Sequence, residues 1–209
     1  MADAITIAQR KGNTNAQGTA AGNEFNEQFV AQGMPPYAEM TRLGQGWSTM
    51  ATAAVAGLVV RPTTAAAYEI FNAYPLGGQS LVIDRIFSHC LVGIVAADSF
   101  VIWAGVTSVK AAVTSGSFVV RGHSGKPYSG PVIAQAGTSA LADPGWFPWA
   151  SGGTASVGAA LPMSAAIAEV AGRLIIPPQC SLCLHVVSST TALTFCSGAA
   201  WYESQITLQ

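Results

Sequence analysis

The stretch that most restricts what this chain can fold into lies near its end, from Gly172 to Ser204. Apolar residues stand there at every second position, as in Leu182, Leu184 and Val186, and prolines and a Ser/Thr cluster interrupt the pattern. Period-two alternation bounded by such residues is typical of half-buried antiparallel strands. The sequence therefore predicts three successive strands, over residues 174–176, 182–187 and 193–201.

Similar segments recur through most of the chain upstream. They are apolar and β-branched, they follow one another about every ten residues, and no helical periodicity separates them. Strands of this length and spacing indicate a sandwich or a barrel. Residues 164–170 fit either a short helix or a strand. The other predicted strands cover residues 53–61, 68–72, 81–87, 91–95, 100–106, 109–113 and 118–121.

Residues 122–153 break this pattern, because glycine, proline and an aromatic cluster dominate them. A stretch of this length predicts a long loop, and long loops in compact domains are usually functional or packed against a partner. The aromatic residues Trp146, Phe147 and Trp149 can serve in core or loop packing, in contact with another protein, or in stacking on a sugar. We take them as candidate partner or glycan contacts.

Residues 1–46 differ in composition from the rest and predict an N-terminal arm, followed by a β-domain over residues 47–209. Residues 1–22 are small and polar and cannot bury enough apolar surface to fold alone. Two short amphipathic segments follow, the second led by Pro35-Pro36 and ended by Gly44. Their apolar faces need a surface, which is either the chain's own domain or a neighbouring molecule. The candidate contact residues of the arm are Phe25, Phe29, Tyr37, Met40 and Leu43.

Charged residues are scarce in this chain. They make up only 9% of the 209 residues, whereas half of the residues are hydrophobic. An ordinary soluble domain has about a quarter charged residues. We therefore expect copies of the chain and a larger particle to cover part of the exterior, which predicts a homo-oligomer.

Charge also bears on which partners the sequence disfavours. The net charge is −1 and Arg10-Lys11 is the only adjacent basic pair, so we expect no nucleic-acid partner. Residues 1–30 have five charged residues and no long apolar segment, so no signal peptide is expected. The longest apolar stretch, from Cys90 to Val106, contains Asp98 near its middle. A carboxylate there predicts a turn between two strands rather than a membrane span.

Two short motifs suggest chemistry but lack the context that the chemistry requires. Cys180 and Cys183 have the spacing of a redox pair, yet a strand sends their side chains to opposite faces, which favours buried core thiols over a redox or metal site. His123 and Ser124 lie in a stretch close to a nucleophile elbow, but Lys126 stands where the last glycine belongs. The carboxylates are scattered, so the sequence predicts no catalytic residue, no cofactor and no metal.

Four segments of the chain carry motifs that are structural rather than catalytic. They are PPYAEMTRLGQGW at 35–47, RPTTAAAYEIFNAYPLGGQSLVIDRIF at 61–87, GRLIIPPQCSLCLHVVSS at 172–189 and AWYE at 200–203. These segments resemble virion structural proteins of tailed bacteriophages and of viral metagenomes. The resemblance implies an all-β fold, an antiparallel β-sandwich of jelly-roll type with an extended, partly helical N-terminal arm.

The resemblance implies a function similar to that of cement and decoration proteins, which trimerise on capsid surfaces. It predicts a homotrimer, not an enzyme, that is made in the host cytoplasm, binds the major capsid protein and is located on the virion. Three arms on one trimer would then bind the shell by avidity. One alternative is a receptor- or glycan-binding head appendage that uses Trp146 and Trp149 as a stacking platform. Another is a soluble hydrolase that uses His123 or Ser124.

Overall fold

The computed structural model describes residues 38–63, 65–92, 98–108, 118–137, 141, 145–154 and 164–206. The predicted arm residues Phe25, Phe29 and Tyr37 and the predicted strand over 109–113 lie outside them. Within them the chain forms strands and one short helix. The elements are α1 Ala38–Arg42, β1 Gly46–Met50, β2 Val55–Ala56, β3 Tyr68–Phe71, β4 Ser80–Val92, β5 Asp98–Thr107, β6 Arg121–Gly122, β7 Ile133–Gln135, β8 Phe147–Thr154, β9 Ser164–Glu169, β10 Ile175–Ile176, β11 Ser181–Ser188 and β12 Thr194–Ser204.

These strands build two antiparallel sheets, which confirms the predicted all-β class. The larger sheet has the order β10-β4-β12-β1-β6, with β2 paired to β12 and β9 paired to β4. The smaller sheet has the order β7-β3-β11-β5-β8. The main hydrophobic core includes residues from both sheets, among them Trp201 and Ile83 of the larger and Leu184 and Ile102 of the smaller.

Strand pairing is nested from the two ends of the β-domain inward. The first strand pairs with the last, β1 with β12, and β3 pairs with β11. Further inward, β4 pairs with β9, and β5 pairs with β8. The pairs β12–β4 and β11–β5 then join these nested pairs into the two sheets. This is the pairing of one long antiparallel hairpin that has been folded over on itself.

The predicted closing strands are confirmed as β10, β11 and β12, but two of them are buried more completely than predicted. On β11, Leu182, Leu184 and Val186 enter the main core, as their alternation predicts. On the opposite face of the same strand, Cys183 and His185 are also buried. The prediction of half-buried strands is therefore wrong for β11 and β12, because the residues of both faces are buried along most of their length.

The predicted strand over 53–61 is mostly wrong. Only Val55–Ala56 is strand, and Val59 and Val60 are 54% and 65% exposed. The physical reason is that this segment changes sheets: Val55 pairs with Phe195 of β12, whereas Leu58 forms a bridge with Val187 of β11. A chain that crosses between two sheets cannot keep one continuous ladder.

Three other boundaries differ from prediction. Residues 81–87 and 91–95 were predicted as two strands, but Ser80–Val92 is one strand, and residues 93–95 lie outside the described residues. The ambiguous segment at 164–170 is the strand β9. The predicted loop over 122–153 contains β7 and β8, because β7 pairs with β3 and β8 pairs with β5 at the two edges of the smaller sheet.

We expect the Leu184→Ala substitution to lower the free energy of unfolding by about 2–5 kcal/mol. Leu184 is fully buried in the main core on the central strand of the smaller sheet, so truncation leaves a cavity. Leu76→Ala makes the same chemical change at a residue that is 84% exposed, and it should alter stability by less than about 0.5 kcal/mol. Equal effects of the two substitutions in denaturant titrations would contradict this description of the core.

Candidate interaction surface

The outward side of the larger sheet is the most unusual surface of the described residues. Side chains alternate along β12, so that Phe195, Ala199 and Trp201 enter the main core while Cys196 and Gly198 lie on the outward side. Strand pairing extends this outward side to β4 and β9 on one flank and to β1 on the other. We call its uncharged part the apolar outer face: Met50, Phe87, His89, Leu91, Ala165, Ile167, Cys196 and Gly198.

A straight row of four residues crosses the apolar outer face. Register pairs Ile167 with Phe87, Phe87 with Gly198, and Gly198 with Met50. A Cβ on Gly198 would overlap the Phe87 ring, so glycine lets that ring lie flat on the sheet. Ile167 and Met50, at the two ends of the row, are 52% and 47% exposed. The face therefore presents two large apolar side chains to solvent on either side of a covered centre.

Next to this row the surface has a shallow depression of about 450 Å³. Cys196 is only 4% exposed, whereas Leu91 on its rim is 39% exposed. Burial raises the pKa of the Cys196 thiol, so the group remains uncharged at neutral pH. The depression is lined by Met50, His89, Cys90, Leu91, Ser164, Ala165 and Cys196.

Charged side chains border the apolar outer face at one end. The guanidinium of Arg85 lies 3.1 Å from the Asp84 carboxylate and 3.8 Å from that of its register partner Glu169. The hydrogen bond to Asp84 raises the pKa of Arg85 further. Beyond β1, Arg121 and Lys126 are both exposed. The face thus becomes charged toward Arg85 along the strands and toward Arg121 across them.

The outward side of the smaller sheet is covered by the chain's own residues. Leu141 and Trp146 pack there with Cys183 and Ala66 in a second, smaller hydrophobic cluster. A Cβ on Gly105 of β5 would overlap the Gly145 carbonyl oxygen and the Leu141 side chain, so glycine permits this close approach. The two outward sides are therefore different: one holds a small core and the other presents apolar side chains to solvent.

The three predicted aromatic contact residues do not act together. Trp146 is 1% exposed, and its indole N–H donates to the Leu141 carbonyl oxygen at 2.9 Å. Trp149 is half-buried and donates to the Ala104 carbonyl oxygen at 3.2 Å, while Phe147 is 60% exposed. Trp146 is thus a core residue here and not a contact residue, because its ring completes the smaller cluster. Trp146 and Trp149 therefore do not form an exposed pair for stacking on a sugar.

The predicted arm is described only at its end. Helix α1 contains Met40, which is half-buried, and Leu43 just after it is 52% exposed. The Oγ1 atom of Thr41 lies 3.3 Å from where a Cβ on Gly46 would stand, so α1 packs on the start of β1. The Glu203 amide also donates to the Gln45 carbonyl oxygen at 3.1 Å. Residues 39–45 are therefore fixed to the β-domain.

One polar constellation was not predicted from the sequence. The Glu203 carboxylate is 6% exposed and accepts hydrogen bonds from Tyr128 at 2.8 Å and from Tyr74 at 3.0 Å. Burial and the nearby Glu203 raise the pKa of Tyr74 to about 12, and the same two causes raise the pKa of Tyr128. Both phenols remain protonated at neutral pH, so they are donors and not bases. The arrangement ties two loops to the end of β12.

The sequence holds no signal for this constellation, since Tyr74 and Glu203 are 129 residues apart. Only the nested pairing of the strands brings the loops after β3 and β6 to the end of β12. The hydroxyl of Tyr128 also accepts a hydrogen bond from the Val132 amide at 3.0 Å, which fixes the loop that precedes β7.

Three of the cysteines are buried, whereas His123 is exposed beside Tyr202. All four cysteines lie among the described residues and are present as thiols. Cys183 lies in β11 and is buried as predicted, whereas Cys180 stands just before β11 and is half-buried, and the two pack against different hydrophobic clusters. The ring of His123 lies edge-on to Tyr202 with centroids 6.2 Å apart, and burial lowers its pKa. Within the described ranges, no three His, Cys, Asp or Glu side chains converge as a metal site would require. No helix in the described part of the chain is long and apolar enough to cross a bilayer.

Comparisons with protein-family models, with curated proteins and with solved structures found no match to this chain. Its function is therefore inferred from the surfaces themselves.

We expect Tyr128→Phe to lower the free energy of unfolding by about 1–3 kcal/mol, because it removes a donor to the buried Glu203 carboxylate and the acceptor of the Val132 amide. Tyr74→Phe removes only the second donor to the same carboxylate and should cost less. In the double variant the two losses should deviate from additivity, since both hydroxyls share Glu203. Chemical denaturation measures the stability of the two single variants and the double variant. A Tyr128→Phe chain as stable as the wild type would contradict the role of the Tyr128–Glu203 hydrogen bond in stabilising the fold.

We also expect the four thiols to react unequally in the folded chain. Cys180 is half-buried, whereas Cys90, Cys183 and Cys196 are at most 4% exposed. Burial, helped by Glu69, raises the pKa of Cys183 to about 12, which leaves almost no thiolate at neutral pH. Titration with a thiol reagent should show one slow-reacting group before unfolding and four after it. Cys180→Ser should abolish the first group; rapid reaction of several thiols in the folded state would disprove this.

Proposed function

We propose that this chain is a structural subunit of a virion, a cement or decoration protein that binds a shell of the major capsid protein. The observation that carries this proposal is the apolar outer face. A sheet that presents Met50, Leu91 and Ile167 to solvent has a surface that a repeated assembly would bury. The resemblance of residues 61–87 and 172–189 to tailed-phage virion proteins favours the capsid as the site of that assembly.

The distribution of charge supports the same proposal. Of the few carboxylates in the chain, Glu69, Asp84 and Glu203 are at most 6% exposed. They are enclosed by the fold and leave the exterior with still fewer acidic groups than the composition indicates. A surface so poor in charge is weakly protected against association, which suits a subunit that works in contact with copies and neighbours.

We further propose that the β-domain is a jelly roll. In that fold eight strands form two sheets through two Greek keys. The nested pairs β1–β12, β3–β11, β4–β9 and β5–β8 support this assignment. So do the two resulting orders, β1-β12-β4-β9 and β3-β11-β5-β8, in which the pairs alternate between sheets.

The proposed shell contact is the arm, with Phe25, Phe29 and Tyr37 as apolar anchors. Residues 1–37 precede the part of the chain that α1 fixes to the β-domain, and in this proposal they bind a neighbouring subunit. In a homotrimer three such arms bind neighbouring sites on one shell, and their joint attachment exceeds the affinity of any one arm. Exposed Phe147 is the part of the aromatic loop that remains available for an exterior contact.

Removal of residues 1–37 should weaken binding to shells of the major capsid protein by at least about a hundredfold, through the loss of joint attachment. The truncation stops at 37 because residues 39–45 pack on the β-domain. Co-sedimentation with shells measures the binding, and thermal unfolding verifies that the truncated domain is intact. Phe25→Ala with Phe29→Ala in the full chain should reproduce most of the loss. A truncated protein that binds shells as tightly as the full chain would contradict the role of the arm.

A further inference from the structure

Three side chains of the kind that bind soft metal ions lie around the depression on the apolar outer face. Cys196 on β12 has a thiol, His89 on β4 an imidazole and Met50 on β1 a thioether, and all three line the depression. Sulfur donors of cysteine and methionine select Cu(I) and other soft metals, and imidazole also binds copper. The depression therefore brings together donors that stand far apart in the sequence.

Strand register places these donors within reach of one ion. His89 and Cys196 are direct register partners on neighbouring strands, so their Cβ atoms are about 4.5–5.5 Å apart. Met50 pairs with Gly198, two residues from Cys196 on the same outward side, which makes Met50 a diagonal neighbour of Cys196. Methionine has a long, flexible side chain that can cover this distance. Bonds of about 2.0–2.3 Å from a metal to nitrogen and sulfur fit the spacing.

We propose that Cys196, His89 and Met50 form a binding site for one Cu(I) ion. On binding, a copper–sulfur bond forms and the Cys196 thiol releases its proton to solvent, so the ion and the thiolate together are neutral. A charge that is paired in this way is far less costly to hold in apolar surroundings than an unpaired one. The site goes beyond the proposed function and does not depend on it.

The same donors disfavour harder metal ions. Zinc is held by thiolate, imidazole and carboxylate ligands, and nowhere in the described ranges do three His, Cys, Asp or Glu side chains converge. Cys90 also lines the depression, but its side chain belongs to the main core. Calcium and magnesium require oxygen ligands, and no Asp or Glu is among the described residues that line the depression. The thioether of Met50 is thus the third donor, and it suits a soft ion.

The surroundings of His89 prepare its ring for this role. The side chain is exposed, and its ring lies edge-on to the Phe87 ring with centroids 5.8 Å apart. The Phe87 ring is itself placed over Gly198, where a Cβ would overlap it. A ring that is already restricted by such a contact loses less conformational entropy when it binds. The Cys196 thiol, at 4% exposure, lies deeper than His89 and holds the ion close to the sheet.

A bound ion would join β1, β4 and β12, three adjacent strands of the larger sheet. A ligand that binds the folded chain and not the unfolded one stabilises the fold by mass action. We therefore expect Cu(I) to raise the thermal unfolding temperature of the wild type. In Cys196→Ser the same addition should leave the unfolding temperature unchanged, because the thiolate ligand is lost.

Anaerobic titration of the full-length protein with Cu(I), in competition with a colorimetric Cu(I) chelator, tests the site directly. The wild type should bind one equivalent at this site, and Cys196→Ser should lose it. His89→Gln should raise the dissociation constant at least about a hundredfold and Met50→Leu about tenfold, since even the partners that only support metal ligands contribute about 10–100-fold. His89 is exposed and Met50 is 47% exposed, so neither exchange should disturb the fold.

Cys180→Ser and His123→Gln are matched controls, because each makes the same chemical change at a residue that does not line the depression. Both should keep the wild-type affinity for this equivalent. X-ray absorption of the loaded protein should show sulfur and imidazole nitrogen around the copper. If Cys180→Ser loses the ion while Cys196→Ser keeps it, the half-buried thiol is the ligand and the proposal is wrong. Equal affinities of the wild type and His89→Gln would also overturn it.

Discussion

The β12 strand is the constraint on which the rest of the structure depends. It pairs with β4 along eleven residue pairs, with β1 along five and with β2 at its other end. Its inward side chains form part of the main core, and its last residues carry Glu203, to which two tyrosines from distant loops donate. Because the first strand of the β-domain pairs with this last one, the larger sheet forms only when the whole domain is present. A contact between residues this far apart in sequence loses loop-closure entropy before its favourable interactions form, and slow folding is the usual consequence.

The two outward sides of the sandwich illustrate two ways of treating an apolar sheet surface. On the smaller sheet, glycine at 105 lets the chain around Leu141 and Gly145 lie on the strand, so that Trp146 and Leu141 are buried. On the larger sheet, glycine at 198 lets the Phe87 ring lie flat, but Ile167 and Met50 remain exposed. A glycine on the outward side of each sheet thus accompanies a covered surface in the smaller sheet and an exposed apolar surface in the larger. Since the chain has few charged residues to keep that exposed surface soluble, we propose that it forms an interface.

The strand periodicity was sufficient to predict the all-β class and most of the strands between residues 68 and 204, because local alternation is a property of the sequence itself. The periodicity was insufficient where tertiary contacts determine whether a segment forms a strand. Residues 53–61 are β-branched and apolar, yet they cross between sheets, and Trp47 of β1 stands in a stretch too polar to suggest a strand. The candidate surface could not be predicted from the sequence, since only the register of four strands places Met50, Phe87 and Ile167 in one row. Trp146 among Gly, Pro and Phe147 has the same local sequence whether it is exposed or buried, and its burial depends on tertiary contacts with Leu141, Cys183 and Ala66.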